Sequence, residues 1–332
     1  MSPSWRGCCA SRPLGEMARR AIVLMNLGGP DTPQSVRPFL VNLFSDPAII
    51  ALPAIFRRPL AHLIAWRRTK AARDIYDHLG GGSPLLANTK AQAAALEQEL
   101  GDEYRCFVAM RYWHPLTEEA VADVKSWQPD EVICLPLYPQ FSTTTTASSL
   151  AAWRREAERR GLGSRMRAVT EYPTAPGFIA ALSEVISPLL DKAAAQYGRV
   201  RLLLSAHGLP LKIVRAGDPY PQQVEATAAA LAAALGRPGL DWIVCYQSRV
   251  GPLAWLGPGT DDEIRRAGSE GVALVVAPIS FVSEHSETLV ELDRDYRRLA
   301  ESSGVPAYYR APTVGTHRQF ITALAELVRD AT

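Results

Sequence analysis

The stretch VRLLLSAHGLP, residues 200–210, decides how the rest of the chain reads. Its apolar run, bounded by turn formers, has the character of a buried strand, and it delivers a histidine to a Gly-Leu-Pro turn. The same design stands at AIVLMNLGGP, residues 21–30, and working outward from either copy gives the same order. After the first come a helix pattern, KAQAAALEQELG (90–101), then YRCFVAMRYWHPLTEEAVADV (104–124), then EVICLPLYP (131–139) running into QFSTTTTASSL (140–150). After the second come VEATAAALAAALG (224–236), DWIVCYQSRVGPLAWLGPGTDDEI (241–264) and VALVVAPISFVSEHSETL (272–289). Landmarks that recur in order are the mark of a duplicated unit, and strands alternating with helices imply parallel sheets. The expected fold is α/β, with two similar doubly wound domains over residues 20–170 and 171–332 and a ligand cleft between them.

Bulk properties fit that picture and exclude others. The chain has 332 residues, 47% hydrophobic and 21% charged, with a formal net charge of only +2. That balance lacks the basic field of a nucleic-acid binder, so no nucleic-acid partner is expected. The five cysteines form no CxxC pair, which points to a reducing compartment without disulfides. Residues 1–19 read as a leader outside the fold, with Met17 an alternative start, and no segment is apolar for the roughly eighteen residues a membrane span needs. The expected location is cytoplasmic. LGGP is not a dinucleotide fingerprint, and no P-loop, GxSxG or HExxH motif occurs.

In doubly wound sheets ligands gather outside the carboxyl ends of the strands. Four such exits, at 26–30, 111–115, 205–210 and 280–287, would then surround one cleft. The first half contributes a neutral wall, with Asn26, Gly28, Gly29 and the Ser142 to Thr146 run; the second contributes His207, Glu284, His285 and Glu287. His207 reads either as a loop histidine satisfied by a backbone carbonyl or as a general base or metal ligand. In FVSEHSETLVELDRDY (281–296), α-helical spacing of about 100° per residue places Glu284, Glu287, Glu291 and Asp295 within an arc of roughly 80°. Such a stripe is either a solvated helix start complementing the macrodipole or a file of carboxylates that conducts protons or recruits a divalent cation. His285 falls on the wheel with Leu289, Leu292 and Tyr296, as a packed or supporting residue.

Residues 49–68, IIALPAIFRRPLAHLIAWRR, combine apolar side chains with two Arg-Arg pairs. An ordinary helix pair would show that composition, as would a lip lying on a membrane surface or gripping a flat apolar ligand. Tyr112, Trp113, Trp255 and Phe281 fall near strand exits, where aromatics either fill a core or line a slot for a planar molecule.

With those residues in view, the chain resembles ferrochelatases, which insert ferrous iron into a porphyrin. The resemblance covers about residues 20–325 and rests on NLGGPDTP (26–33), GGGSPL (80–85), MRYWHPLTEEAV (110–121), YPQFSTTTTASSL (138–150), LLSAHGLPLKIVRAGDPYPQQV (203–224), QSRVGPLAWLGPGTDDEI (247–264) and SEHSETLVELD (283–293). It implies a chelatase-like fold enclosing a porphyrin cleft. His207 and Glu287 match the family's paired metal-site and catalytic residues. Arg111 and Tyr112 match residues of the opposite wall, and Leu24, Met25 and Asn26 a segment packing near the ring. Arg68, Tyr76 and Ser83 match positions that meet propionates in some relatives, and Trp255 a cleft-mouth aromatic. Glu284 and Glu291 are implied relays, and the resemblance makes the acidic stretch partly a widened helical turn. The implied reaction converts protoporphyrin IX to protohaem, with coproporphyrin III the alternative substrate and peripheral membrane contact through the 49–68 lip a further implication. The last cysteine is Cys245, so no iron–sulfur cluster is expected, nor any cofactor beyond ferrous iron as substrate. A non-catalytic porphyrin carrier, a chelatase for another metal and a two-lobed solute-binding module are the rival readings.

Overall fold

The computed structural model describes residues 18–332. Cys8, Cys9 and Met17 of the expected leader lie outside the described residues, whereas Arg19 already belongs to the fold: its guanidinium lies 4.5 Å from the Trp127 ring centroid. The first half runs β1 (Arg20–Asn26), α1 (Val36–Phe44), α2 (Ala54–Asp77), α3 (Leu85–Leu100), β2 (Tyr104–Met110), α4 (Thr117–Trp127), β3 (Glu131–Pro136), α5 (Thr146–Arg159) and β4 (Met166–Ala168). The second runs α6 (Pro176–Tyr197), β5 (Val200–His207), α7 (Leu211–Arg215), α8 (Tyr220–Leu235), β6 (Asp241–Gln247), α9 (Thr260–Glu270) and β7 (Ala273–Pro278). A π-helix (Glu287–Asp295), α10 (Tyr296–Ser302), β8 (Tyr308–Arg310) and α11 (Arg318–Ala331) complete it.

Each half is a parallel four-stranded sheet, ordered β2-β1-β3-β4 in the first and β6-β5-β7-β8 in the second. The two orders are the same pattern, as the repeated landmarks require. β1 and β5 are central in their sheets, and central parallel strands are covered by helices on both faces. That is why AIVLM and LLL read as continuous apolar runs: every residue from Ala21 to Met25 and from Leu202 to Leu204 is buried.

The halves are not separate lobes. One apolar cluster passes from Ile22 and Ile133 of the first sheet through Leu96 of α3, Phe178 of α6 and Phe320 of α11 to Leu202 and Leu204 of the second. A large apolar interface of this kind opposes free domain swinging. Burial and hydrogen bonds between the halves therefore hold the two sheets together. The described cysteines, Cys106, Cys134 and Cys245, sit on three different strands and are free.

The lip region is one long helix after a turn, and not the helix pair its composition allowed. α2 starts after Pro53 and contains Pro59. Ile55 is 75% exposed, Phe56 65% and Trp66 62%, so its apolar side faces outward and not into a core.

Candidate active site

β5 ends in His207, and the glycine after it lets the neighbouring strand exits close up. A Cβ on Gly208 would stand 2.8 Å from the Gln247 carbonyl oxygen and 3.5 Å from the Trp255 ring. Gly208 N–H instead donates to that carbonyl at 2.8 Å, and Trp255 stays against the turn beside His207. The Tyr220 hydroxyl donates to the His207 carbonyl at 3.1 Å, which ties α8 to the same turn.

From β7 the chain loops through Val282 to Ser286 and enters the π-helix at Glu287. Here the structure corrects the four-acid stripe. Glu284 precedes the helix altogether, and Asp295, at its far end, pairs with Arg294 at 2.7 Å. A π turn closes a wider hydrogen-bonded ring than an α turn, so the rotation per residue is smaller and residues four apart approach one line. Glu287 and Glu291 are the acids that this geometry brings together, and their charges interact.

Glu287 Oε2 lies 2.9 Å from His207 Nδ1 and 3.6 Å from His285 Nε2. The His207 and Glu287 side chains keep 42% and 29% of their surface, so both remain partly open. Burial disfavours charge on each, but the partner's charge outweighs it. His207 is raised above its ordinary value, and Glu287, pulled down by His207 and then His285, lies far below the usual carboxylate range. The contact thus favours the imidazolium–carboxylate form of the pair, and the neutral ring forms as pH rises through the raised His207 value. With Nδ1 engaged, Nε2 is the ring nitrogen left to meet a ligand.

Glu291 contrasts with Glu287. Burial, and then the Glu287 charge, raise its carboxyl above the ordinary value. It accepts bonds from Ser248 N–H at 2.8 Å, Ser248 Oγ at 2.5 Å, Gln247 Nε2 at 3.1 Å and the Tyr296 hydroxyl at 3.0 Å. Its far side opens on a surface pocket lined by Ser248, Arg249, Asp261, Asp295 and Tyr296. Glu284 is different again. Arg310 Nη1 donates to it at 2.6 Å and Thr313 N–H at 2.9 Å, and although burial pushes its carboxyl up, Arg310 holds it below the ordinary value. Arg310 also grips Asp293.

Arg310 is nearly buried, so Arg310→Met would strand two carboxylates. The expected cost is about 3 kcal/mol, from removing one partner of a largely buried ionic cluster. Because the folded Glu284 value is depressed, its contribution is complete above the unfolded value near ~4.3 and is lost as pH falls through the folded value. Urea midpoints of parent and variant at neutral and acid pH check both points; a gap that does not narrow in acid contradicts the assignment.

The first-domain wall, expected to be neutral from its strand exits, instead carries a buried carboxylate and its arginine partner. Asp46 is buried; its Oδ2 forms an ion pair with Arg111 Nη2 at 2.7 Å and accepts from the Tyr112 hydroxyl at 2.8 Å and Ser148 Oγ at 2.5 Å. Asp46 arrives from the turn between α1 and α2, outside any strand exit, and in the sequence its Ser-Asp-Pro context reads only as a helix stop. Tyr112 is 1% exposed, and Leu24 and Met25 are buried in β1. These three present almost no surface, while Arg111 stays partly open. Tyr76, near the end of α2, lies close to Ser286 and Glu287; burial raises its hydroxyl to about 12. Ser83 packs against Gly29, where an added Cβ would come within 2.6 Å of it. Arg68 lies over the Phe44 ring at 5.7 Å and is exposed on α2.

Two parallel α/β halves with a histidine–glutamate pair at matched strand exits define a protein of chelatase fold. Solved structures agree: one described as "SirB from Bacillus subtilis with Fe3+" superposes with a TM-score of 0.53 at 13% identity, covering 94% of this chain and 95% of that one. Another, of CbiX, described as the terminal enzyme for siroheme biosynthesis in denitrifying bacteria, gives 0.51 at 16%, covering 95% and 99%. At such identities the likeness is one of fold. The chain belongs to the ferrochelatase family, whose profile matches residues 19–332. Relatives named ferrochelatase include that of Caulobacter vibrioides, 55% identical over 316 residues, covering 94% of this chain and 90% of the relative. That of Phenylobacterium zucineum is 57% identical over 311 residues, covering 92% and 89%. The protein is accordingly a metal chelatase of haem synthesis.

Proposed function

We propose that the cleft inserts ferrous iron into protoporphyrin IX, with His207 as base and iron ligand and Glu287 as its acidic partner. The observation that carries this reading is the 2.9 Å His207–Glu287 contact, with both side chains still partly exposed. Metallation must remove the pyrrole N–H protons and admit a dehydrated cation, and a flat ring resists both. Holding the ring bent, at the expense of binding energy elsewhere on it, exposes the nitrogens. His207 Nε2 then accepts a proton or meets iron, and neutral imidazole with carboxylate is an acceptable ferrous site. Glu291, with its raised carboxyl and its opening to the surface pocket, is suited to carry the proton away. Glu284, fixed as an anion by Arg310, anchors the loop and is not suited to relay. Iron enters as substrate, and the reading requires no resident cofactor.

The outward Ile55, Phe56, Leu63 and Trp66 of α2 favour a membrane-associated site and the less acidic protoporphyrin IX over coproporphyrin III. Exposed Arg58 and Arg67 flank them and would meet anionic headgroups on a cytoplasmic membrane face. No described helix is long and apolar enough to cross a membrane. Two assays test these points. Anaerobic insertion of ferrous iron into the two porphyrins side by side should favour protoporphyrin IX, and faster turnover of coproporphyrin III would reverse the substrate assignment. Phe56→Ser with Trp66→Ser should abolish sedimentation with anionic vesicles at low salt while retaining detergent-assayed activity. Parent protein that fails to sediment would contradict the membrane reading.

A further inference from the structure

Gln92 is a polar residue at 0% exposure in the middle of α3, in the first domain. A buried amide is costly unless its hydrogen bonds are made. Here they are all made across the domain boundary. Nε2 donates to the Val282 carbonyl at 2.9 Å and to the Gly315 carbonyl at 3.0 Å, and Oε1 accepts from Ser283 Oγ at 2.8 Å. One turn earlier Asn88 Nδ2 donates to the Glu284 carbonyl at 2.9 Å. Val282, Ser283 and Glu284 form the irregular link between β7 and the π-helix, a stretch without ladder bonds of its own.

That link leads straight to the metal site. The Ser283 carbonyl lies 3.0 Å from His285 Nδ1, and His285 Nε2 lies 3.6 Å from Glu287 Oε2, the same oxygen that meets His207 Nδ1. A continuous set of contacts thus runs from Gln92 through Ser283 and His285 to Glu287. We infer that Gln92 is a positioning residue for the site: a side chain of the first domain sets where Glu287 stands relative to His207, although both belong to the second. The inference rests on reading His207 and Glu287 as the metal site. The competing account is that Gln92 only satisfies two buried carbonyls and supports stability, in which case the folded protein would bind metal normally without it.

The experiment titrates cobalt(II) into metal-free protein and follows its visible absorption, with circular dichroism as the check on folding. Gln92→Met keeps the volume and removes the amide. Ser283→Ala removes one hydroxyl and leaves the Val282 and Gly315 bonds in place. Both variants are expected to fold, to bind cobalt(II) about tenfold more weakly, as loss of supporting contacts around metal ligands does, and to show altered absorption bands. In iron insertion, kcat should fall while the porphyrin KM stays within about twofold, since metal placement and not ring binding is disturbed. A folded Gln92→Met with parental cobalt affinity and spectrum overturns the inference. If that variant fails to fold, Ser283→Ala decides, and parental binding there overturns it. His207→Ala separates the two ideas: cobalt binding unchanged by it removes the metal-site reading and this inference together, whereas binding lost in His207→Ala but kept in both other variants removes this inference alone.

Discussion

His207→Ala is expected to leave the fold intact and to reduce anaerobic iron insertion by about 10³-fold, within the range that loss of a positioned proton acceptor produces. The fold should survive because His207 ends its strand with 42% of its side chain exposed, so truncation opens no sealed cavity. Activity should not survive, because Nε2 of this ring is the open nitrogen of the Glu287 pair. Absorbance of the metalloporphyrin under anaerobic conditions, alongside circular dichroism, measures both. A folded variant that inserts iron at near the parental rate would sink the assignment.

For Glu287→Gln the expected loss in kcat is about 10²-fold, with a change in pH dependence that identifies its cause. In the parent, burial lowers the His207 value and Glu287 more than restores it, so the ring becomes a neutral base only as pH rises through a raised value. Removing the carboxylate lowers that value, and the acidic limb of the pH–rate profile should move to lower pH. An unmoved limb would argue against shared protonation. The same pair stabilises the fold in a defined window. The contribution of Glu287 is full above the unfolded carboxylate value near ~4.3 and is lost as pH falls through its depressed folded value. The contribution of His207 is full below about 6.5 and is lost as pH rises through its raised folded value. In Glu287→Gln the stability difference from parent should therefore be largest between those limits.

The contrast between Glu287 and Glu284 shows where linear pattern stops carrying information. On an α-wheel the two are equivalent members of one stripe. In the folded chain one faces two histidines at the head of a π-helix, and the other is clamped by Arg310, whose strand, β8, was invisible as a landmark because it is only three residues long. Tyr112 tells the same story on the opposite wall. Its motif marks it as a cleft residue, yet its hydroxyl is committed to Asp46, a residue whose local context signals a turn and nothing more.

The sequence by itself determined the duplicated parallel architecture, because strands buried on both faces must be continuously apolar and their repetition in order is plain to read. It also placed His207 at the end of one such strand and Glu287 in the acidic stretch beyond another, and the resemblance of their motifs to the ferrochelatase family paired them. Only the tertiary structure decided which acids pair, what holds Arg111, and that Gln92 of one domain bonds the loop before the π-helix of the other. Those outcomes depend on partners distant in the chain, Glu284 with Arg310, Asp46 with Arg111 and Gln92 with Val282, and hydrogen bonds between distant segments leave no periodicity for a linear reading to find.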